Sequence, residues 1–66
     1  MVDWDFAPSM YDYHAFDESG FGYWYCYKPE LQNDKWEKRR NSFMISMQEN
    51  KGVCWKQSLE KRIKNG

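Results

Sequence analysis

The clearest pattern along the chain is a pair of aromatic-rich runs joined by a short polar segment. Residues 10–16 and 21–27 are rich in aromatic residues that favour strands. Between them lie residues 17–20, a turn sequence whose final glycine suits a backbone with positive φ. The pattern predicts a β-hairpin over residues 10–28, and Pro29 ends its second strand.

Side chains alternate between the two faces of a hairpin, so the register decides which residues are available for recognition. If Phe16 lies opposite Phe21, one face carries small residues and Trp24 and suits packing in the core. The other face then offers rings and polar groups to a partner, unless Trp4 and Phe6 cover it. Its candidate partner-binding residues are Asp12, His14, Phe21, Tyr23, Tyr25 and Tyr27. A shift of the register by one residue would exchange one strand's side chains between the faces.

Outside the hairpin, the pattern indicates an extended lead-in, helical segments and one ambiguous stretch. Residues 1–9 contain a proline and no regular period, so we expect an extended segment. Helix-start signals at Pro29 and in residues 34–37 predict a helical segment over residues 30–41. Residues 43–49 fit either a strand or a helix, and we prefer the strand because their apolar residues alternate with polar ones.

The last part of the chain has the spacing of an amphipathic helix. Trp55, Leu59 and Ile63 recur every four residues, which predicts a C-terminal helix over residues 53–64. The expected fold class is therefore α+β, a small antiparallel sheet packed against this helix. The sheet would contain the N-terminal β-hairpin and a third strand if residues 43–49 are extended. The length allows a single domain, residues 1–66.

Composition shifts the expected core toward large flexible and aromatic side chains. Aromatic residues make up 20% of the chain and there are 4 Met, whereas leucine, isoleucine and valine are few. A core of rings and methionines can still bury a large area. A chain of 66 residues lies near the lower size limit for independent folding, so a homodimer or a partner could supply part of the stability.

Charge is balanced overall but unevenly distributed. Residues 1–30 carry six acids and one base, and residues 31–66 carry nine bases and four acids, giving −5 and +5 for the two parts. The two halves could attract each other on folding, or they could form a bipolar surface that meets charged partners. The densest basic cluster consists of Lys35, Lys38, Arg39 and Arg40, which suits either phosphate binding or an ordinary solvated surface.

A short stretch of the second aromatic run resembles a nucleic-acid-binding motif. Residues 20–25 resemble the aromatic octapeptide of RNA-recognition sheets, whose rings stack on splayed bases. Ser19 stands where that motif has Lys or Arg, and Cys26 stands where it has an aromatic residue. The resemblance implies a single-stranded nucleic-acid binder that would use the basic cluster for phosphates.

No residue pattern indicates catalysis or a bound cofactor. The chain has 1 His and 2 Cys without the spacing of a metal site or a catalytic dyad, so we expect no enzyme, no cofactor and no metal. No apolar run is long enough to span a bilayer, and no disulfide framework or secretory signal is visible. A cytoplasmic location without membrane association is the corresponding expectation.

Together these features favour a small binding protein. We expect a non-enzymatic module that docks on a larger protein and modulates or inhibits it, of the kind that phages and mobile elements encode. The alternative is the single-stranded nucleic-acid binder described above.

Overall fold

The structure is a computed structural model that describes residues 2–63, and strands dominate it. In chain order the strands of this described part are β1 (Tyr13–Phe16), β2 (Phe21–Tyr25), β3 (Leu31–Gln32), β4 (Lys35–Trp36), β5 (Phe43–Glu49) and β6 (Glu60–Lys61). Four of them form an antiparallel sheet in the order β5-β2-β1-β6, and β3 pairs with β4 in a separate two-stranded sheet. Single 3-10 turns cover Trp4–Phe6 and Trp55–Gln57.

The expected α+β class is wrong, because no helix beyond these 3-10 turns occurs in residues 2–63. The segment predicted to be helical, residues 30–41, contains the β3–β4 hairpin instead. Asn33 and Asp34 both adopt positive φ, 51° and 58°, which is the backbone of a tight hairpin turn. Asn and Asp tolerate this conformation better than other residues with a side chain. Asp34 therefore belongs to a turn and does not cap a helix.

The predicted C-terminal helix over residues 53–64 is also wrong within the described residues, and Lys64 lies outside them. The Ser58 hydroxyl ends the 3-10 turn by donating to the Trp55 carbonyl at 2.7 Å, and it accepts the Phe16 amide at 2.8 Å. The chain then pairs with β1 as β6. Leu59 packs on the sheet, whereas Ile63 is exposed, so the four-residue spacing does not mark a continuous helical stripe.

The N-terminal β-hairpin is confirmed, and so is the preference for a strand over residues 43–49, which pair with β2. The expected register is wrong by one residue, because Phe16 lies opposite Gly22 and not opposite Phe21. One face of the hairpin therefore carries Tyr13, Ala15, Tyr23 and Tyr25, and the other carries His14, Phe16, Gly22 and Trp24.

Different parts of the chain cover the two faces. On the Trp24 face, the lead-in places Trp4 against Trp24 with ring centroids 5.2 Å apart, and Val2 and Tyr11 complete this half of the core. The lead-in is not fully extended as expected, since residues 4–6 form the first 3-10 turn. We call this side the N-terminal face.

The opposite side, which we call the hairpin face, is covered by the β3–β4 hairpin. Trp36 packs on Ala15 and Tyr25, and its indole N–H donates to the Phe16 carbonyl at 3.0 Å. A two-stranded hairpin thus occupies the position expected for a helix.

An especially close approach of side chains inside the sheet lies at Gly22. A Cβ atom at this position would lie 2.6 Å from both His14 Nε2 and Ser46 Oγ. We expect Gly22→Ala to lower the free energy of unfolding by about 1–3 kcal/mol, because the buried neighbours would have to move apart. Urea denaturation measures this change. A loss below about 0.5 kcal/mol, the size typical of a surface substitution, would contradict the close packing.

Candidate functional site

The free edge of β5 is the most unusual surface of the sheet. β5 spans seven residues and pairs with β2 on one side, and no described strand pairs with it on the other. At its start, the Cys26 amide donates to the Ser42 carbonyl at 2.9 Å, so the backbone of Ser42 faces β2. Backbone groups alternate in an antiparallel pair, which directs the amides and carbonyls of Phe43 and Ile45 away from β2. These groups can pair with an additional strand.

The opposite edge of the sheet is protected in the usual way. β6 contains only Glu60 and Lys61, both charged, and the Arg62 amide that follows bonds to the Asp12 carbonyl at 2.7 Å. Short length and charge prevent edge-to-edge pairing. By contrast, residues 43–48 contain no charged side chain and no proline. Only one of the two edges is therefore suited to accept a strand.

An apolar recess lies beside the β5 edge on the N-terminal face. It has a volume of about 550 Å³ and is lined by Asp3, Phe6, Trp24, Met44, Met47 and Gln48. Met47 is 94% exposed and Phe6 76% exposed, whereas Trp24 is buried and closes the inner side. We call this the methionine recess. Flexible thioether side chains can adapt to differently shaped apolar groups.

Hydrogen bonds between the lead-in and β5 hold the recess together. The Asp3 amide donates to Gln48 Oε1 at 2.8 Å, and Gln48 Nε2 donates back to the Asp3 carbonyl at 3.0 Å. The Asp3 carboxylate accepts the Asp5 amide at 3.0 Å and caps the 3-10 turn that carries Phe6. The position of Phe6 is thus fixed by its neighbours in the chain and by β5.

The hairpin face also has an apolar margin along β5. Ile45 lies opposite Tyr23 and is 51% exposed, and the rings of Tyr23 and Phe43 meet edge to face at 6.2 Å. Lys38 Nζ lies 4.5 Å from the centroid of the Tyr23 ring and 3.1 Å from an oxygen of Asp17. A strand added to β5 would therefore meet apolar side chains on both faces of the sheet.

The structure does not bring the predicted partner-binding residues together on one exposed surface. His14 and Tyr25 are buried, at 0% and 2% exposure, because the observed register places them on different, covered faces. Tyr23 is half-buried at the β5 margin, and Phe21 and Tyr27 are exposed. Asp12 is half-buried, with one carboxylate oxygen 3.6 Å from Arg62 Nε. Whether any of the six contacts a partner stays a prediction.

The basic cluster is partly neutralised within the molecule. Lys38 pairs with Asp17, and Arg39 pairs with Glu37 at 3.2 Å while its guanidinium lies 5.9 Å from the Tyr27 ring centroid. Lys35 and Arg40 are exposed. A further ion pair, Lys56 with Asp34 at 3.0 Å, joins residues outside this cluster. Two ion pairs, Lys38–Asp17 and Arg62–Asp12, join the acidic and basic halves of the chain. They agree with the interpretation that the two halves attract each other on folding.

A serine and a histidine meet inside the sheet. His14 Nε2 and Ser46 Oγ are 2.8 Å apart, and burial lowers the pKa of His14 to about 4. On the opposite face of the sheet, burial raises the pKa of the Tyr25 hydroxyl above its usual range. Both members of the His14–Ser46 pair are covered, at 0% and 4% exposure, so a substrate cannot reach them in this conformation. The pair connects β1 to β5 across β2.

The comparisons with known proteins give no match to a protein-family model, to a curated protein or to a solved structure. Within residues 2–63, no group of three or more His, Cys, Asp or Glu residues could hold a metal ion. No helix of the described chain has the length and apolar character that crossing a bilayer requires.

Sequence reasoning missed Phe6, Met44, Ile45 and Met47 as candidate binding residues, although the chain contains a signal for the last three. Residues 43–48 combine strand period with an absence of charge and proline, which is unusual for an edge strand. Only the strand order shows that this segment lies at an edge, and strand order depends on long-range pairing. No local pattern would have placed Phe6 beside it.

The buried His14 makes stability depend on pH. Its pKa is 6.5 in the unfolded chain and about 4 in the folded one, so the unfolded state binds more protons between these values. We expect the free energy of unfolding to fall by roughly 3 kcal/mol as the pH drops from 6.5 to 4 through this group alone. Urea denaturation across this range measures the loss. His14→Gln, which keeps a hydrogen-bonding group for Ser46, should show a flatter profile between pH 5 and 6.5. Equal slopes for the two proteins would contradict the assignment.

Proposed function

We propose that this protein is a non-enzymatic binding module that docks on a larger protein through the free edge of β5. The observation that carries the proposal is a seven-residue edge strand, uncharged over its first six residues, beside an apolar recess. Natural sheets usually protect their edges with short or charged strands, and the opposite edge of this sheet is protected in this way by β6. An edge left open next to exposed apolar side chains is typical of a contact surface.

The edge would bind an extended segment of the partner by strand addition. The outward amides and carbonyls of Phe43 and Ile45 would form main-chain hydrogen bonds with the added strand, which supplies affinity without sequence preference. Alternate side chains of that strand would point to opposite faces. One set would enter the methionine recess, and the other would lie near Tyr23 and Ile45. These side-chain contacts would supply specificity.

Strand addition offers a direct route to modulation or inhibition. A segment held against β5 is no longer available to its own protein, so binding would block whatever contact or movement that segment makes. This mechanism needs no catalytic group or cofactor. We place the protein in the cytoplasm, where the half-buried Cys26 and the exposed Cys54, both free thiols, would stay reduced. We also propose a phage or mobile-element origin, with which the small size of the chain agrees.

The nucleic-acid alternative receives no specific support from the geometry. Tyr25 is buried, so the second aromatic run does not offer a row of rings for bases to stack on. Lys38 and Arg39 already pair with carboxylates. Phosphate binding would have to compete with these pairs.

Ile45→Lys is the substitution that tests the docking edge. A charge in the centre of the strand should prevent an added strand from packing, and we expect capture of the partner to fall at least about tenfold. Affinity capture from a lysate of the encoding organism, quantified by mass spectrometry, measures this change. Leu31→Lys is the matched control, because Leu31 is an apolar strand residue of similar exposure, 42% against 51%, away from β5. The three baits are the wild type, Ile45→Lys and Leu31→Lys. A protein that all three retain equally does not bind at the β5 edge.

Single-stranded oligonucleotides test the alternative function. We expect no binding at micromolar concentration in 150 mM salt, because two cations of the basic cluster are engaged. A fluorescence-anisotropy titration at several salt concentrations measures this. Micromolar affinity that falls steeply with salt would favour the nucleic-acid binder instead, provided that the double variant Lys35→Glu/Arg40→Glu abolishes it.

A further inference from the structure

We propose that two copies of this chain pair antiparallel through β5 and form one continuous sheet across a two-fold axis. The occupant of the free edge is then a second copy whenever no other partner is bound. This inference goes beyond the proposed function and does not depend on it, since self-pairing needs no larger protein. Two four-stranded sheets would be joined, and both unprotected edges would be closed at once.

The charges at the two ends of β5 favour this occupant. Arg39, which pairs with Glu37, and the exposed Arg40 precede the strand, and Glu49 ends it. Asp3 is hydrogen-bonded to Gln48 beside that end and adds to its acidic character, against one nearby base, Lys51. Antiparallel pairing of identical strands places the basic start of each copy beside the acidic end of the other. Parallel pairing would place like charges together.

The backbone direction restricts the possible registers, and the cross-strand side-chain pairs favour one of those that remain. Phe43 and Ile45 turn their amides and carbonyls outward, so a two-fold axis at Met44 places Phe43 of one copy opposite Ile45 of the other, twice. Each such pair joins an aromatic and a β-branched side chain, a favourable cross-strand combination. Met44 then lies opposite itself in a non-hydrogen-bonded pair, with Cα atoms about 4.5 Å apart.

Self-pairing would also remove apolar surface from water. Met44, Ile45 and Met47 are 43%, 51% and 94% exposed in the single chain. A chain of 66 residues with few aliphatic side chains gains more from such burial than a larger domain does. The second copy and a larger partner would compete for the same edge, so dilution of the dimer would favour capture of the partner.

Sedimentation velocity on the purified chain tests the proposal directly. We expect a species of twice the 8.1 kDa monomer mass at concentrations of roughly 100 µM, dissociating on dilution. Ile45→Lys should weaken the dimer at least about tenfold, and Leu31→Lys should leave it unchanged. A wild-type chain that remains monomeric at 100 µM overturns the inference. That result would leave the proposed function standing, because the edge would then be free for a larger partner.

Charge exchange tests the antiparallel arrangement. The double variant Arg39→Glu/Arg40→Glu and the single variant Glu49→Lys should each dimerise less than the wild type, because like charges then meet at both ends. An equimolar mixture of the two should form a heterodimer in which opposite charges meet again. A mixture that sediments as the separate variants do overturns the antiparallel pairing.

A cysteine at Met44 tests the register. In a chain with Cys26→Ala and Cys54→Ala, Met44→Cys should form a symmetric intermolecular disulfide under mild oxidation, because the Cα separation suits one. Met47→Cys is the matched control, since this residue is more exposed but does not lie opposite its own copy. Disulfide formation at both positions in equal yield contradicts the register. Far-UV circular dichroism checks that each variant is folded. The sedimentation result for the wild type tests dimer formation even if a variant fails to fold.

Discussion

The contact among Gly22, His14 and Ser46 is the constraint on which the rest of the structure depends. Because Gly22 has no side chain, the His14 imidazole can lie across β2 and reach the Ser46 hydroxyl at 2.8 Å. The contact links the three long strands and fits the observed register of β1 with β2, and it lies where the pairing of β2 with β5 shifts between Phe21 and Tyr23. That register decides which aromatic residues are buried on each face, and hence which parts of the chain must cover them. A polar pair buried at the centre costs stability when His14 is protonated, but it makes the pairing specific.

The sequence was sufficient for the local features of the fold and insufficient for those that depend on distant residues. The turn that ends at Gly20 identifies the first hairpin, and the alternation in residues 43–49 favours a strand, because both signals lie within a few neighbouring residues. The hairpin register could not be derived, since it depends on the space that Gly22 leaves for a side chain from β1. Trp55 and Leu59 have the spacing of a helix, but Trp55 begins a 3-10 turn and Leu59 follows that turn. Both residues pack on the sheet, and this long-range contact favours the 3-10 turn over a continuous helix.

The candidate site shows the same division between local and distant information. The uncharged stretch of β5 is visible in the sequence, but its position at the edge of the sheet is not. The predicted binding residues His14 and Tyr25 share a face only in the expected register, and the observed register separates and buries them. In a chain this small, aromatic side chains are needed for the core, so ring content alone is a weak indicator of a binding surface. Strand order, together with the absence of charge along one edge, is a better indicator.

The first described residues connect the two edges of the sheet. The Val2 amide donates to the Glu60 carboxylate at 3.3 Å on β6, and the amide of the next residue, Asp3, donates to Gln48 on β5. Two consecutive residues therefore brace the sheet from one side to the other and oppose changes in its twist. A strand added at β5 would need the local twist to match its own, and these two hydrogen bonds would limit how far that twist can adjust. The lead-in thereby acts as a mechanical element of the sheet as well as a cover for its core.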